Sequence, residues 1–262
     1  MTENKLFAVV TGASSGIGKE LAFLFAGGGY DLLLCAEDVG IEAAAADCRS
    51  RGADVVALQR DLRGSEGVQE LYAAITATGR VVDAAAVNAG VGRGGAFVDT
   101  SLADLLEVVD LNVASTMHLT HLLLGDMVRR NEGRLLLTSS IASTMPGPYQ
   151  AVYNASKSFV QSLAEALQNE VKDTEVVITT LMPGPTETNF FRRARMGNTP
   201  VGQSSKDDPV AVARQGFEAL LAGKDRVVAA SLATKAQELA SKVLPDKVKA
   251  ELHRRMAKPN DG

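Results

Sequence analysis

Three residues of this chain have the types and the spacing to transfer a proton: Ser140, Tyr153 and Lys157. Tyr153 and Lys157 are four residues apart in a stretch that predicts a helix, so both lie on one helical face. A tyrosine of ordinary pKa, about 10, releases its proton poorly at neutral pH. A neighbouring ammonium favours the phenolate, so we expect Lys157 to lower the pKa of Tyr153. Ser140 could hold a carbonyl or alcohol oxygen, and the three together predict proton transfer to or from that oxygen.

Two neighbouring residues are weaker candidates for the same roles. Tyr149 has no lysine four residues further on, so we predict that it forms a wall of the pocket. Ser139 is one residue further from Tyr153 than Ser140 is. A Tyr-x-x-x-Lys pair alone is also compatible with an ordinary helix surface. A catalytic role for this pair therefore requires that the rest of the chain supply a hydride carrier.

The composition limits the class of protein. The 262 residues are enough for one large α/β domain or two small ones, and 46% of them are hydrophobic. A net charge of −4 argues against a nucleic-acid-binding protein of the usual basic kind. Cys35 and Cys48 form no disulfide framework and fit a reducing compartment, so we expect a cytoplasmic protein. No stretch approaches the roughly 18 apolar residues of a membrane-spanning helix, and we expect no membrane span.

Short apolar strands alternate with helical patterns along most of the chain. We predict strands at residues 6–10, 31–35, 55–58, 82–87, 134–139, 176–181 and 226–230. We predict helices at residues 19–26, 41–50, 67–76, 102–130, 153–171 and 209–221. Continuously apolar strands are typical of a parallel sheet that is covered on both faces. The expected fold is therefore a single-domain, Rossmann-like, doubly wound parallel sheet of about seven strands with helices on both faces.

Two segments depart from this alternation. Residues 189–208 are polar and include Arg192, Arg193 and Arg195, so we predict a mobile lid within a dinucleotide-binding catalytic domain of residues 1–230. Residues 231–262 are predicted to be a C-terminal helical extension. Its two apolar stripes would comprise Leu232, Ala236, Leu239, Ala240 and Val243, and then Val248, Leu252 and Met256. This basic region could be a subunit interface, a cap on the pocket, a membrane-surface helix, or a packed helix with a solvated face.

The sequence TGASSGIG lies between the first predicted strand and the first predicted helix. Glycines at such a turn let the backbone approach a pyrophosphate, which then lies at the helix N-terminus, although a purely structural turn is the alternative interpretation. We predict cofactor contacts at Gly12, Ser14, Ser15, Gly16, Ile17 and Gly18.

Further short motifs follow other strands in a consistent order. We predict cofactor contacts at Asp61 and Leu62 after the third strand, at Asn88, Ala89 and Gly90 after the fourth, and at Pro183, Gly184 and Thr188 after the sixth. Asp61 is placed to meet an adenine amino group. All these motifs lie at carboxyl ends of strands, where open α/β sheets bind ligands.

Taken together, these motifs resemble the compact branch of the short-chain dehydrogenase/reductase family over residues 6–230. The glycine turn, Asn88-Ala89-Gly90, Asn112, Ser140, Tyr153, Lys157 and Pro183-Gly184 follow that family's order and spacing. The resemblance implies an NAD(P)-dependent oxidoreductase that acts on a carbonyl or secondary alcohol. The alternative is a catalytically silent NAD(P)-binding scaffold or sensor, although such relatives usually lose the tyrosine or the lysine.

The resemblance also implies a role for each catalytic residue. Tyr153 would be the general acid/base, and Ser140 would orient the substrate oxygen. Lys157 would lower the pKa of Tyr153 and bind the nicotinamide ribose by a hydrogen bond. Asn112 would hold a water that relays protons from Lys157.

The choice between NAD and NADP depends on the residues after the second strand. Neither the glycine turn, with Ser15, nor Ala36-Glu37-Asp38 carries the basic residue that NADP enzymes of the family use. A carboxylate at Glu37 would bind ribose hydroxyls and repel a 2′-phosphate, which favours NAD.

The expected substrate is a small carbonyl or alcohol compound with an apolar part. We predict a pocket formed by residues 91–97, residues 143–149 and the segment after Pro183, with an apolar lining of Phe97, Met145, Pro146, Pro148, Phe190 and Phe191. The family resemblance implies a homodimer or homotetramer formed through helices 102–130 and 153–171. His118 and His121 are one turn apart, but no third ligand is evident and we expect no metal site.

Overall fold

Seven parallel strands form one sheet in the order β3-β2-β1-β4-β5-β6-β7. The computed structural model describes residues 5–229 and 244–260 of the chain. The strands are β1 Phe7–Thr11, β2 Asp31–Ala36, β3 Val55–Gln59, β4 Ala84–Val87, β5 Gly133–Thr138, β6 Val176–Pro183 and β7 Arg226–Ala229. The order runs outward in both directions from the pair β1 and β4, so a crevice opens at their carboxyl ends.

Helices connect the strands. They are α1 Gly16–Gly27, α2 Gly40–Arg49, α3 Ser65–Ala77, α4 Leu102–Val109, α5 Thr116–Arg130, α6 Ala151–Glu170, α7 Phe190–Arg193, α8 Pro200–Gln203, α9 Pro209–Leu221 and the C-terminal helix Asp246–Ala257. None of the described helices combines the length and the apolar composition that crossing a membrane requires. The predicted doubly wound fold is confirmed.

Alternation along the buried strands places apolar side chains on both faces of the sheet. In β1, Phe7 and Val9 belong to a core cluster that includes residues of α3, α5 and α6. Ala8 and Val10 belong to a second cluster that includes residues of α1, α2 and α9. Because successive strand residues point to opposite faces, a strand that is apolar at every position must be covered by helices on both sides.

The predicted long helix at residues 102–130 is interrupted. A π-helical segment, Asp110–Ser115, separates α4 from α5. Single-turn π segments of this kind often occur at functional sites. Here the segment contains Asn112, whose side chain is fully buried.

The predicted lid and the C-terminal helix pack against each other. Ala194 and Met196 from residues 189–208 form a small buried cluster with Ala257. In the predicted apolar stripe of Val248, Leu252 and Met256, Val248 and Leu252 are exposed, and the buried positions of this helix are His253 and Ala257. The first predicted stripe, at residues 232–243, lies outside the described residues.

Candidate active site

A cleft of about 260 Å³ opens at the carboxyl ends of the strands. The predicted residues that line it are Gly12, Ser14, Ser15, Gly16, Ile17, Glu37, Asp61, Leu62, Asn88, Ala89, Gly90, Ser140, Tyr153, Lys157, Pro183, Gly184 and Thr188. Motifs that are far apart in the sequence meet here because every strand of a parallel sheet ends at the same edge.

Ser140, Tyr153 and Lys157 lie on one wall of this cleft. Lys157 and Tyr153 come from α6, and Lys157 Nζ donates a hydrogen bond to the carbonyl oxygen of Thr138 at 2.8 Å. Ser140 follows β5, where its Oγ accepts a hydrogen bond from the Ala142 amide at 3.1 Å. The Tyr153 ring packs against Phe190, with ring centroids 5.2 Å apart. The phenol and the amine are therefore carried by α6, and the hydroxyl lies just after β5, at the start of a short 3-10 turn, Ile141–Thr144.

Burial controls the acid–base properties of Tyr153 and Lys157. It raises the pKa of Tyr153 to about 12, although the hydrogen bond with Ser140 acts in the opposite direction. Burial also lowers the pKa of Lys157 to about 8. The prediction that Lys157 lowers the pKa of Tyr153 is thus wrong for the net shift. Desolvation dominates the pKa of Tyr153, the opposing contribution comes from Ser140, and the Lys157 amine donates to the Thr138 carbonyl oxygen.

Asn112 lies behind the cleft and does not line it. Its Oδ1 accepts a hydrogen bond from the Val91 amide at 2.9 Å, and its Nδ2 donates to the Val91 carbonyl at 2.8 Å. Nδ2 also donates to Ser156 Oγ at 3.0 Å. The Asn112 side chain therefore joins the π segment to the loop after β4 and to α6.

The glycine turn after β1 adopts backbone conformations that favour glycine. Gly12 and Gly16 have φ angles of +65° and +56°, and a Cβ at Gly16 would lie 2.9 Å from Thr188 Cγ2. Gly18 was predicted to contact the cofactor, but it does not line the cleft. A Cβ at Gly18 would lie 2.2 Å from the Gly12 carbonyl oxygen and 2.5 Å from Asn88 Nδ2. Gly18 thus permits close packing of α1 against the turn.

Charged side chains surround the end of the cleft near β2 and β3. Glu37 forms an ion pair with Arg193 and another with Arg63, whose Nη2 lies 3.5 Å from a Glu37 carboxylate oxygen. Arg63 also binds Asp61, and this hydrogen bond holds the pKa of Asp61 below its usual range. Glu37 and Asp61 are therefore paired with arginines, which the sequence analysis did not anticipate.

The predicted apolar lining is confirmed only in part. Met145, Phe190 and Phe191 line the cleft. Phe97 is 60% exposed, and Phe97, Pro146 and Pro148 do not line the cleft. Tyr149 was predicted to be a pocket wall, but it also lies outside the lining, with the Arg254 guanidinium 5.8 Å from its ring.

The lining residues that were not predicted include Gln150, Val201, His253 and Met256. Val201, His253 and Met256 come from α8 and the C-terminal helix, whose packing against the cleft has no local sequence signal. Gln150 directly precedes α6, so its closeness to Tyr153 in the sequence was an available signal.

The histidine pair on α5 lies away from this cleft. The ring of His118 forms a hydrogen bond with Gln69 at 2.8 Å. Within residues 5–229 and 244–260, no group of three or more His, Cys, Asp or Glu side chains could hold a metal ion.

Comparison with known proteins agrees with the geometry. The family model for short chain dehydrogenases matches residues 6–198. Oxidoreductase UcpA of Salmonella typhimurium is 31% identical over 214 residues, which cover 81% of this chain and 79% of that protein. Dehydrogenase/reductase SDR family member 7B of Rattus norvegicus is also 31% identical, over a match that covers 81% of this chain and 69% of that protein.

Two solved structures have the same fold. A short-chain dehydrogenase/reductase of Burkholderia phymatum, in complex with NAD, is 27% identical with a TM-score of 0.81, covering 98% of this chain and 97% of that one. An alcohol dehydrogenase of Thermococcus sibiricus, complexed with 5-hydroxy-NADP, is 25% identical with a TM-score of 0.76, covering 87% and 97%. With the match of the family model over most of its length, the chain belongs to the short-chain dehydrogenase family of oxidoreductases.

Proposed function

We propose that this protein is an NAD(P)-dependent oxidoreductase that interconverts a carbonyl compound and a secondary alcohol. The observation that carries this proposal is a single cleft that joins Ser140, Tyr153 and Lys157 to the glycine turn after β1. A dinucleotide spanning the cleft would therefore place its reactive ring beside a proton-transfer group.

The residues of the cleft fit a dinucleotide. Gly12, Gly16 and Gly90 keep the floor open, since a Cβ at Gly90 would lie 3.2 Å from both Lys157 Nζ and Asn112 Oδ1. The pyrophosphate would lie at the N-terminus of α1, with Ser14, Ser15 and Ile17 beside it. The loops with Asp61-Leu62, Asn88-Ala89-Gly90 and Pro183-Gly184 with Thr188 would contact the rest of the cofactor. When bound, the nicotinamide supplies or accepts the hydride.

The protein's own residues would handle the proton. Tyr153 is the general acid/base, and Ser140 orients the reacting oxygen through its hydroxyl. Lys157, whose pKa is about 8, exchanges a proton near neutral pH and would bind the nicotinamide ribose. Asn112 holds the loop at Val91 in place and would help to retain a water near Lys157.

We propose NAD as the preferred cofactor. Glu37 lines the cleft at the end of β2, where its carboxylate could bind ribose hydroxyls. The ion pairs with Arg63 and Arg193 reduce its repulsion of a 2′-phosphate, so the preference should be modest. The solved relatives with bound NAD and with a bound NADP derivative support dinucleotide use in general.

Surface and composition support the remaining parts of the proposal. Leu102, Leu106 and Val109 form an exposed apolar stripe on α4, which favours a homodimer or homotetramer. The paucity of cysteines supports a cytoplasmic protein. The proposed partner is a small carbonyl or alcohol compound with an apolar part, which would lie against Met145 and Phe190.

Oxidation of NADH and NADPH across a library of ketones and aldehydes tests the proposed function. We expect turnover of at least one class of carbonyl, with NADH used more efficiently than NADPH. Cofactor binding without turnover of any carbonyl or secondary alcohol would instead identify a silent dinucleotide-binding scaffold.

A further inference from the structure

Two polar side chains at the substrate end of the cleft are buried but lack protein partners for part of their hydrogen-bonding capacity. Gln150 is 7% exposed and His253 is 6% exposed, and both line the cleft. Within the described part of the chain, the side-chain amide of Gln150 forms no hydrogen bond, and His253 forms one. Because both side chains line the cleft, their unused hydrogen-bonding capacity is available to a ligand bound there.

The single hydrogen bond of His253 determines which ring nitrogen carries the proton. Nδ1 lies 3.1 Å from the carbonyl oxygen of Pro148. A carbonyl only accepts, so Nδ1 must be the donor. Burial lowers the pKa of His253, which favours the neutral ring. In a neutral ring with a proton on Nδ1, Nε2 is a bare acceptor.

Both residues are held in place by their elements. Gln150 directly precedes α6 and is three residues before Tyr153, about one helical turn from the proton donor. The C-terminal helix that carries His253 is anchored by Ala257, which is buried against Ala194 and Met196. Met256, on the same helix, lines the cleft, as do the apolar residues Met145 and Phe191.

We propose that Gln150 and His253 together recognise a hydrogen-bond-donating substituent, such as a hydroxyl, on the carbonyl substrate. The apolar part of the same substrate would lie against Met145 and Met256. This inference rests on the proposed function and deepens it. The substrate class becomes ketones that carry a second, donor group at a distance from the reacting oxygen. His253 Nε2 accepts from that group, and the Gln150 amide can accept from it as well.

Two substitutions of His253 separate the ligand contact from the contact with Pro148. In His253→Asn the shorter amide can still donate to Pro148, but no acceptor remains at the position of Nε2. In His253→Gln the longer side chain places an amide oxygen near the position of Nε2 and gives up the bond to Pro148. His121→Asn is the matched control, because His121 is exposed on α5 and does not line the cleft.

The assay compares ketones that differ by one hydroxyl, with benzylacetone and para-hydroxybenzylacetone as the first pair. For the wild-type enzyme we expect kcat/KM to favour the hydroxylated ketone by about tenfold or more, mainly through KM. His253→Asn should reduce this ratio towards one, whereas His253→Gln and His121→Asn should retain most of it. Gln150→Leu should also reduce the ratio.

Binding of the same ketone pairs to the enzyme–NADH complex, measured by calorimetry, distinguishes failure of this inference from failure of the proposed function. A preference for the hydroxylated ketone in binding but no turnover supports the recognition pair and contradicts the proposed reaction. Turnover without any such preference contradicts the recognition pair alone. A preference that persists in His253→Asn also overturns the inference.

The protonation of His253 has its own test. The chain has three histidines, so nitrogen NMR of the imidazole rings gives few signals to assign. We expect one ring with its proton on Nδ1 at neutral pH, and its signal should disappear in His253→Gln. A proton on Nε2 of His253 would overturn the assignment of an acceptor.

Discussion

The guanidinium of Arg193 forms an ion pair with the carboxylate of Glu37, which joins the segment after β6 to the end of β2. The two residues are 156 positions apart in the sequence. Glu37 also contacts Arg63, and Arg63 in turn forms an ion pair with Glu107 of α4. Glu107 binds Arg93 as well, so alternating charges surround one end of the cleft. The predicted lid is therefore connected electrostatically to the residue expected to govern cofactor choice.

Replacement of Glu37 by glutamine should shift cofactor preference towards NADPH. The substitution removes one negative charge and the ion pair of Arg193, so the Arg193 guanidinium becomes available to a 2′-phosphate, whereas Arg63 keeps its ion pairs with Asp61 and Glu107. We expect the ratio of kcat/KM for NADPH over NADH to rise by about tenfold, since a charged hydrogen bond contributes roughly 1.5–3 kcal/mol. Glu42→Gln removes the same charge from an exposed position outside the cleft and should leave the ratio unchanged. An unchanged ratio in Glu37→Gln would show that Glu37 does not govern cofactor choice.

Tyr153→Phe should abolish most turnover and retain cofactor binding. The substitution removes only the hydroxyl, and loss of a general acid lowers kcat by about 100-fold to 10,000-fold. Cofactor affinity can be followed by fluorescence titration with NADH. Tyr149→Phe is the control. It removes the hydroxyl of a tyrosine that precedes Tyr153 by four residues and lies outside the cleft, so this variant should keep a normal kcat. Full turnover by Tyr153→Phe would contradict the proposed mechanism.

Lys157→Met should stabilise the cofactor-free protein at neutral pH and lower its activity. Burial lowers the pKa of Lys157 to about 8, below that of an exposed lysine. The unfolded chain therefore binds more protons than the folded one between about pH 8 and the ordinary lysine pKa, and wild-type stability rises with pH in that window. We expect the variant to gain about 1–3 kcal/mol in free energy of unfolding at pH 7.

The pH dependence of this gain distinguishes it from a general packing effect. In denaturant titrations, the difference between Lys157→Met and the wild type should become smaller as the pH rises from 8 towards 10. The control variant Lys172→Met, at an exposed position, should show neither the gain in free energy of unfolding nor its pH dependence. A gain that is constant across this range would mean that the charge of Lys157 is not its cause.

Asn112→Ala should destabilise the protein and also lower its kcat. The substitution removes both hydrogen bonds to the backbone of Val91, whose amide and carbonyl then lose these partners. Each unsatisfied buried group costs about 1–3 kcal/mol, so we expect a loss of about 2–4 kcal/mol in thermal or chemical unfolding. Asn169→Ala, on the exposed face of α6, should change stability little. A variant with normal stability and reduced kcat would favour a purely catalytic role of Asn112.

The order of the motifs was sufficient to predict the fold and many of the residues that line the cleft. Apolar strands that alternate with helices require a covered parallel sheet, and such a sheet brings the loops after β1, β3, β4 and β6 to one edge. Ser140, Tyr153 and Lys157 could also be placed together, because α6 and the end of β5 have well-defined positions in that arrangement. These inferences depend on the local periodicity of apolar residues, which can be identified from consecutive positions in the sequence.

Other properties of the site depend on contacts between distant residues. The net shift in the pKa of Tyr153 follows from how deeply the folded chain buries the phenol, and its sign is opposite to the one expected from Lys157 alone. The ion pair between Glu37 and Arg193 and the position of His253 in the cleft likewise require the packing of separate segments. The sequence thus specified which groups could react. Burial and long-range packing determined the pKa values of these groups and the side chains that contact them. Solvent exclusion and side-chain contacts arise only when the segments pack together, so neither could be predicted from consecutive residues.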